Sequence, residues 1–489
     1  MFGFEPYLIL AITILIDIAV ALHILTTKHD EPASAILWLF VVFTFPMVGM
    51  ALYLLFGINH VRTLGSKIAS FSHHLKTEKI IKEALIRENS FVYQNYPKDT
   101  HDINYQKTLD RLLPKTKPLF GNKVTLLQDG TSAYPEMLDT IKAAKKYIHL
   151  QSYIIKNDAT GKELMDALLN KANQGVEVKV IYDAFGSLKA VLSFFFRKYQ
   201  RKIALFKIRP FTLINLLAPW RIQLRNHRKL LIVDGKTAFI GGINISAEND
   251  LRVSRRDKYI HDLHCKIQGP ALLTLQISFL RDWHYATRIP LEKLLTLDYF
   301  PKQSVQGEAI VRVIHSGPGQ HYGATEKIFS TAATNSTSSL WIMTPYFIPD
   351  RSFLKTLRMA HARGVDVKII LPKHNNQHLA KLASNSLYKN LLLDGVKIFE
   401  KPGNFSHSKA MLIDNKWAVM GSSNCDIRSF LLNYELDFVA EDTEFIKNLS
   451  TQFKDSLAAS EEITLTKISK KKHYTILLEN ICSLLTPIM

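Results

Sequence analysis

Three observations predict an α/β fold of two similar lobes sharing one face, preceded by an N-terminal two-helix transmembrane hairpin. Two long apolar runs open the chain, a strand–helix–strand pattern follows, and that pattern is then written a second time. Each copy carries the same polar motif at the same distance from the same small-residue motif. The length of 489 residues calls for two or three domains. A hydrophobic fraction of 47% with 10% aromatic supplies large cores and excludes a disordered chain.

The first apolar run, residues 7–26, is about one bilayer thick and is interrupted by Asp17 and His23. The second, residues 33–56, is uncharged and contains Pro46 and Gly49, which a membrane helix tolerates better than a soluble one. The connection through Lys28, Asp30 and Glu31 leaves room only for a tight reversal, so a hairpin is expected over residues 1–60. A cleaved signal peptide fits poorly, because no basic residue precedes the first run and no small-residue cleavage site follows it. Asp17 is costly in hydrocarbon and is expected to face its partner helix or an interface. Arg62, Lys67, Lys76, Lys79 and Lys82 follow the second run, and the positive-inside rule puts the remaining chain in the cytoplasm.

Residues 61–120 read as a basic juxtamembrane linker, 121–300 as the first lobe, and 301–489 as the second lobe with a basic and apolar tail. Within the lobes, residues 176–181 and 365–370 are β-branched strands, each entered from a helical stretch that ends at a glycine, Gly175 or Gly364. Another apolar strand lies upstream of each, at 147–155 and 340–348. Downstream the match sharpens. His227-Arg-Lys229-Leu-Leu-Ile-Val-Asp234 is followed, after six intervening residues, by Gly241-Gly242-Ile-Asn244. His407-Ser-Lys409-Ala-Met-Leu-Ile-Asp414 is followed, again after six, by Gly421-Ser422-Ser-Asn424. One HxKxxxxD is a weak signal; two copies with the same following motif are specific.

On a strand, residues i and i+2 share a face, so His227 projects with Lys229 and His407 with Lys409. Asp234 and Asp414 complete the motifs, but they have the opposite parity. Asp234-Gly235 and Asp414-Asn415 look like hairpin turns, which favours a structural task for both aspartates. The returning strands then bring Asn244 and Asn424 beside the histidines, where the small neighbours admit a ligand close to the backbone. Two imidazoles, two ammonium groups and two carboxamides without a carboxylate cage suit a phosphodiester rather than a divalent ion. One histidine would attack phosphorus and the other protonate the leaving alkoxide. Each imidazole needs a partner to fix its tautomer, and the acids after each motif, Asp262 and Glu435, are the candidates. No metal site and no cofactor is expected. Cys265, Cys425 and Cys482 are far apart, which argues against a disulfide scaffold and a structural zinc site.

These residues resemble the phospholipase D superfamily and, within it, the bacterial cardiolipin synthases, from the N-terminal hairpin to the C-terminus. The resemblance is carried by the segment from Ala35 through Pro46 and Gly49 to Gly57, by Leu150-Gln-Ser-Tyr and Tyr182-Asp183-Ala-Phe-Gly186, and by Arg225-Asn-His-Arg-Lys. Ser316-Gly317-Pro318, Thr344-Pro-Tyr346 and Asn433-Tyr-Glu435 carry it in the second lobe. It implies two phospholipase D-like α-β-α sandwich lobes forming one active site. His227 would be the nucleophile, His407 the general acid and then base, and Asp234 and Asp414 the remaining members of the two catalytic motifs. Lys229, Lys409, Asn244 and Asn424 would hold the phosphate, and Asp262 and Glu435 would orient the histidines. The expected reaction joins two phosphatidylglycerol molecules into cardiolipin and glycerol in the inner membrane of a bacterium. The sequence departs from the family at Lys28-His29-Asp30-Glu31-Pro32, around Asp262, and at Gln320.

The 62 Lys and Arg against 43 Asp and Glu leave a net charge of +19 and favour polyanionic partners. Residues 184–233 contain no acid but hold Lys189, Arg197, Lys198, Arg201, Lys202, Lys207, Arg209, Arg221, Arg225, Arg228 and Lys229, interleaved with Phe194-Phe195-Phe196, Phe211 and Trp220. Behind a membrane hairpin this mixture reads as a dock for anionic headgroups rather than for nucleic acid. The tail, Lys470-Lys471-Lys472 followed by an apolar helix-like end, is expected to lie on the membrane or pack on the body. A hydrolytic phospholipase D, or a transferase with another alcohol acceptor, shares every catalytic residue. A nuclease would leave the uncharged run 33–56 unexplained.

Overall fold

The computed structural model describes residues 5–28, 32–57, 90–92, 103–208, 224–318 and 322–484. Arg62 through Lys82, which set the expected orientation, and Arg209, Phe211, Trp220 and Arg221 of the basic stretch lie outside these residues.

The apolar N-terminus forms a helical hairpin, Glu5–Thr27 against Pro32–Thr44. Ile24, Ala35, Val42 and Tyr53 pack between the helices, His23 Nδ1 lies 2.9 Å from the Tyr53 hydroxyl, and Asp17 is buried. The second helix does not run on to residue 56 as expected. It stops at Thr44, and after Pro46, which cannot donate to the helix, the chain restarts as Val48–Leu52 and a π turn at Tyr53–Gly57. A 13-residue helix reaches about 20 Å, short of the hydrocarbon thickness of about 30 Å. Among the described residues no helix is long and apolar enough to cross a membrane.

The two written copies fold into two halves of one continuous sheet. The first lobe contributes β1 (Leu119–Gln128), β2 (Tyr147–Ser152), β3 (Glu177–Asp183), β4 (Ala204–Ile208), β5 (Leu230–Val233), β6 (Thr237–Gly241) and β7 (Leu263–Gln268). The second contributes β8 (Ala309–Ser316), β9 (Ser339–Met343), β11 (Asp366–Pro372), β12 (Lys397–Lys401), β13 (Ala410–Ile413), β14 (Trp417–Gly421), β16 (Glu435–Glu441) and β17 (Glu461–Ile463). Two-residue strands β10 (Phe347–Ile348) and β15 (Cys425–Asp426) pair separately. The sheet order is β17-β12-β11-β9-β13-β14-β16-β8-β1-β7-β6-β5-β2-β3-β4. Read outward from the central antiparallel pair β8–β1, the order β8-β16-β14-β13-β9-β11-β12 repeats as β1-β7-β6-β5-β2-β3-β4. The sequence duplication is therefore a duplication of topology.

Helices Asp129–Ala143 and Ala159–Asn173 cover the outer face of the first half, and Ala324–Asn335 and Arg351–Ala362 that of the second. Helices Ala271–Thr287 and Thr443–Ala458 fill the shared core between the lobes. Sequence signals set their ends: Asp158, Asp350 and Asp442 cap helix N-termini by accepting main-chain N–H bonds. Gly175 and Gly364 end the helices before β3 and β11 at φ of 87° and 92°. The segment expected to be a linker contains helix Ile103–Leu112, whose Tyr105 stacks on Trp417 and whose Gln106 and Asp110 bind the fully buried Arg312 of β8. It is thus built into the second lobe's core.

Asp234 and Asp414 occupy tight turns with positive φ, 51° and 53°, each followed by a second positive-φ residue, Gly235 or Asn415. Their carboxylates tie the turn to the neighbouring strand. Asp234 accepts from the main-chain N–H groups of Lys145, Lys146 and Tyr147, and Asp414 from those of Thr337, Ser338 and Ser339. This takes both aspartates out of the set that faces a substrate, because the turn geometry spends their oxygens on the backbone.

Candidate active site

His227 and Lys229 do not lie in a strand, as expected, but in the extended segment that leads into β5; His407 and Lys409 lead likewise into β13. Their main-chain bonds go to the other lobe instead of to sheet neighbours. The His227 N–H donates to the Tyr434 carbonyl at 2.9 Å, and the His407 N–H to the His261 carbonyl at 2.7 Å. Short parallel bridges, Asn226 with Tyr434 and His261 with Ser406, make each motif a junction between lobes.

The acids are exchanged across that junction. His227 Nδ1 lies 3.0 and 3.1 Å from the carboxylate oxygens of Glu435, and His407 Nδ1 lies 2.7 Å from Asp262 Oδ2. Sequence order suggested each acid beside the histidine of its own copy; the fold pairs each histidine with the acid of the other. Lys409 Nζ also lies 2.9 Å from His407 Nδ1, and with each Nδ1 held on this inner side the Nε2 atoms are left for chemistry. Tyr153 stands edge-on to His227 at 5.1 Å between ring centroids, and Tyr346 edge-on to His407 at 6.3 Å.

The two acid pockets differ. Glu435 is fully buried and receives the Ser422 hydroxyl at 2.6 Å, the Ser429 hydroxyl at 2.9 Å and the Asn433 amide at 3.2 Å. Asp262 receives the Leu263 N–H at 2.8 Å, and Gly242 packs so close that a Cβ there would lie 2.2 Å from Asp262 Oδ1. Gly242 and Ser422 are the same position of the repeat, which explains why the motif tolerates Gly in one copy and Ser in the other. Burial pushes the Glu435 carboxyl upward. Burial acts the same way on Asp262, but the charges of Lys409 and His407 and the His407 hydrogen bond outweigh it and hold that carboxyl low.

Burial, aided by Lys229 and Lys409, holds His227 well below the ordinary imidazole range, and burial with Lys409 brings His407 to about 4. Burial also lowers Lys229 to about 7 and Lys409 to about 8. Each lysine donates to the carbonyl of its own histidine. Lys229 adds to the field at His407 and Lys409 to that at His227, so the four groups form one electrostatic unit. Asn244 and Asn424, which follow β6 and β14, are both buried. The Asn244 side-chain oxygen accepts from the Ile154 N–H at 3.3 Å, whereas the Asn424 oxygen has no protein partner. Among the described residues no cluster of His, Cys, Asp or Glu has the arrangement of a metal site.

Sequence reading missed the residue between His227 and Lys229. Arg228, counted there with the headgroup-docking cations, is buried: Nη1 binds both oxygens of Asp282 at 2.7 Å, Nη2 the Ser316 carbonyl and Nε the Glu435 carbonyl. Two signals pointed to it, the opposite parity of Arg228 and Asp282, the one acid of helix Ala271–Thr287. The Phe triplet also divides. Phe195 and Phe196 are core, with Phe196 stacked on Tyr182 at 4.0 Å, and Phe194 alone is exposed.

Comparison with known proteins agrees with this construction. The family model described as cardiolipin synthase, PLD-like domain, matches residues 137–255 and 330–457, and the model described as phospholipase D-nuclease N-terminal matches 10–57. The major cardiolipin synthase ClsA of Bacillus subtilis (strain 168) is 32% identical over 498 residues, covering 99% of each chain. Cardiolipin synthase 2 of Bacillus anthracis is 32% identical over 477 residues, covering 94% of this chain and 88% of that protein. In fold, the crystal structure of phosphatidylserine synthase from Haemophilus influenzae Rd KW20 is similar with a TM-score of 0.59 at 15% identity, over 78% of this chain and 97% of that one. Matched in both lobes and along nearly its whole length, the chain belongs to the cardiolipin synthases, phosphatidyltransferases of the phospholipase D-like fold.

Proposed function

We propose that the chain joins two phosphatidylglycerol molecules into cardiolipin and glycerol through a phosphohistidine at His227. The observation that carries this reading is the crosswise pairing, which makes one reaction centre from both lobes. His227 Nε2 attacks phosphorus as the P–O bond to the glycerol headgroup breaks, and His407 gives its Nε2 proton to the departing oxygen. A hydroxyl of the second phosphatidylglycerol then returns a proton to His407 while its oxygen displaces His227 from phosphorus. Lys229, Lys409, Asn244 and Asn424 hold the phosphoryl oxygens as charge builds on them. An anionic phosphodiester entering between the lysines favours the charged form of His407, which is neutral in its absence. The ionised Asp262 beside His407 supports that residue as the proton carrier, and leaves His227 as nucleophile. Asp234 and Asp414 serve by fixing the turns that follow the motifs.

The N-terminal hairpin embeds in the membrane with the lobes on the cytoplasmic side. Its outward side chains support the embedding, since Leu15, Leu22, Ile36, Leu37 and Phe40 are all more than half exposed, and the basic residues Arg62 to Lys82 that follow it support the side. Water must be excluded for transfer to beat hydrolysis. Reconstitution in phosphatidylglycerol vesicles with a chelator present tests the reading. Cardiolipin should appear one for one with glycerol, and His227→Ala and His407→Ala should abolish both products. Phosphatidic acid as the sole lipid product would make the protein a hydrolase.

The lysines set a pH dependence. Because their ordinary values are lowered to about 7 and 8, they lose charge as pH rises through that window, and phosphate binding weakens with them. kcat/KM should therefore begin to fall near pH 7, where Lys229 loses its charge, and fall by more than roughly tenfold per pH unit above pH 8, where both lysines do. A profile flat to pH 10 would remove the lysines from the phosphate clamp.

A further inference from the structure

We propose that helix His473–Leu484 seats the second lobe on an anionic bilayer surface, close to the reaction centre. The helix turns Glu479 and Cys482 inward and most of its large apolar side chains outward, unlike a surface helix on a soluble protein. Glu479 and Cys482 are its buried residues. Glu479 takes the Lys471 ammonium at 2.6 Å, and Cys482 packs with Ile348, Ala380 and Ala383 against helix His378–Leu393. Facing outward are Tyr474, Leu477, Leu478, Ile481 and Leu484, exposed by 62, 60, 49, 46 and 79%. Their spacing of three and four makes one continuous stripe. Burying the polar side and exposing this stripe is favourable only where the stripe meets an apolar phase.

Charge decides which one. Lys470 and Lys472 are exposed at the N-terminal end of the stripe, on a chain of net charge +19. A second copy docked on the same face would bring like charges together across a two-fold axis, whereas an anionic lipid surface satisfies both the lysines and the stripe. The position serves catalysis. Tyr346, whose ring stands edge-on to His407, belongs to the same packed cluster as Cys482. In the first lobe, Leu192 and Phe194, exposed by 66 and 61%, follow β3 in the place where helix His378–Leu393 follows β11. Both lobes thus present exposed apolar side chains after equivalent strands of the repeat. The contact is separate from the N-terminal hairpin and extends the membrane reading to the catalytic body.

The three native cysteines are buried, so Leu477→Cys in the full chain accepts an environment-sensitive fluorophore selectively. In proteoliposomes containing phosphatidylglycerol, spin-labelled lipid should quench that fluorophore at least several-fold more than in phosphatidylcholine alone. This readout needs no turnover, so its failure is distinct from failure of the cardiolipin assignment. The triple variant Leu477→Asn, Ile481→Asn, Leu484→Asn should lose about tenfold or more in transfer on vesicles but stay within about twofold on monomeric short-chain phosphatidylglycerol. Absence of lipid quenching would overturn the proposal. So would an equal loss on the monomeric substrate, or self-association that shields the fluorophore without lipid.

Discussion

Glu435→Gln is expected to lower kcat by about 10²- to 10⁴-fold with the fold retained, the loss a triad enzyme shows when its buried acid becomes an amide. Glu435 is the sole carboxylate at His227 Nδ1 among the described residues, and it does two things there. It keeps the proton on Nδ1, so the Nε2 lone pair faces phosphorus, and it offsets the positive charge that His227 gains on forming the P–N bond. An amide does neither. Whichever oxygen its NH₂ group replaces, it faces a donor, either the Ser422 hydroxyl or the Ser429 hydroxyl with the Asn433 amide, so one side of the pocket loses its complement. Because the pairing crosses the lobes, the deficit should lie in phosphohistidine formation, while Asp262→Asn should instead slow protonation of the leaving group. Both steps precede glycerol release, so a phosphatidyl donor with a p-nitrophenolate leaving group, which needs no proton, separates the two: it should restore Asp262→Asn but not Glu435→Gln. Slow glycerol release in Glu435→Gln with an unchanged unfolding midpoint is the expected result; a normal first turnover would rule out the crosswise assignment.

Asp282→Ala is expected to destabilise the protein by about 3–5 kcal/mol, the cost of leaving a buried guanidinium without its counter-charge. Arg228 connects β5's entry segment, the shared-core helix Ala271–Thr287, β8 and β16 in one set of bonds. Losing Asp282 frees that set at its centre. A double-mutant cycle is informative, since Arg228→Met with Asp282→Leu should recover much of the stability by removing both charges. Activity should not recover, because the Arg228 bond to the Glu435 carbonyl would still be missing. Denaturant unfolding gives the first result and vesicle transfer the second. An Asp282→Ala midpoint equal to wild type would show that Arg228 finds another anion.

Much of this construction was legible in the sequence, because duplication wrote each element twice. The strands around residues 147, 177, 340 and 366, the glycines that end their preceding helices, and the turns at Asp234 and Asp414 all obey local rules. Opposite parity sets the turn aspartates and Arg228 apart from His227 and Lys229, and all three spend their polar atoms on protein partners. What local rules did not carry was the exchange of partners. Spacing places Asp262 near the first motif and Glu435 near the second, but each motif's main chain bonds to the opposite lobe, and the acids follow that docking. Composition misled where it was averaged over a stretch: Phe195, Phe196 and Arg228 are interior residues inside a basic segment that reads as surface. Hydropathy likewise ran through Pro46, where the backbone stops the helix at Thr44.

On the proposed mechanism both lobes build one centre, in which His227 carries the phosphatidyl group. The direct measurement is to react the wild-type protein with phosphatidylglycerol for less than one turnover, quench in alkali where a phosphohistidine survives, and map the adduct by mass. A phosphatidyl group on His227, absent in Glu435→Gln over the same interval, is the expected outcome. An adduct on His407 with His227 unmodified would contradict it.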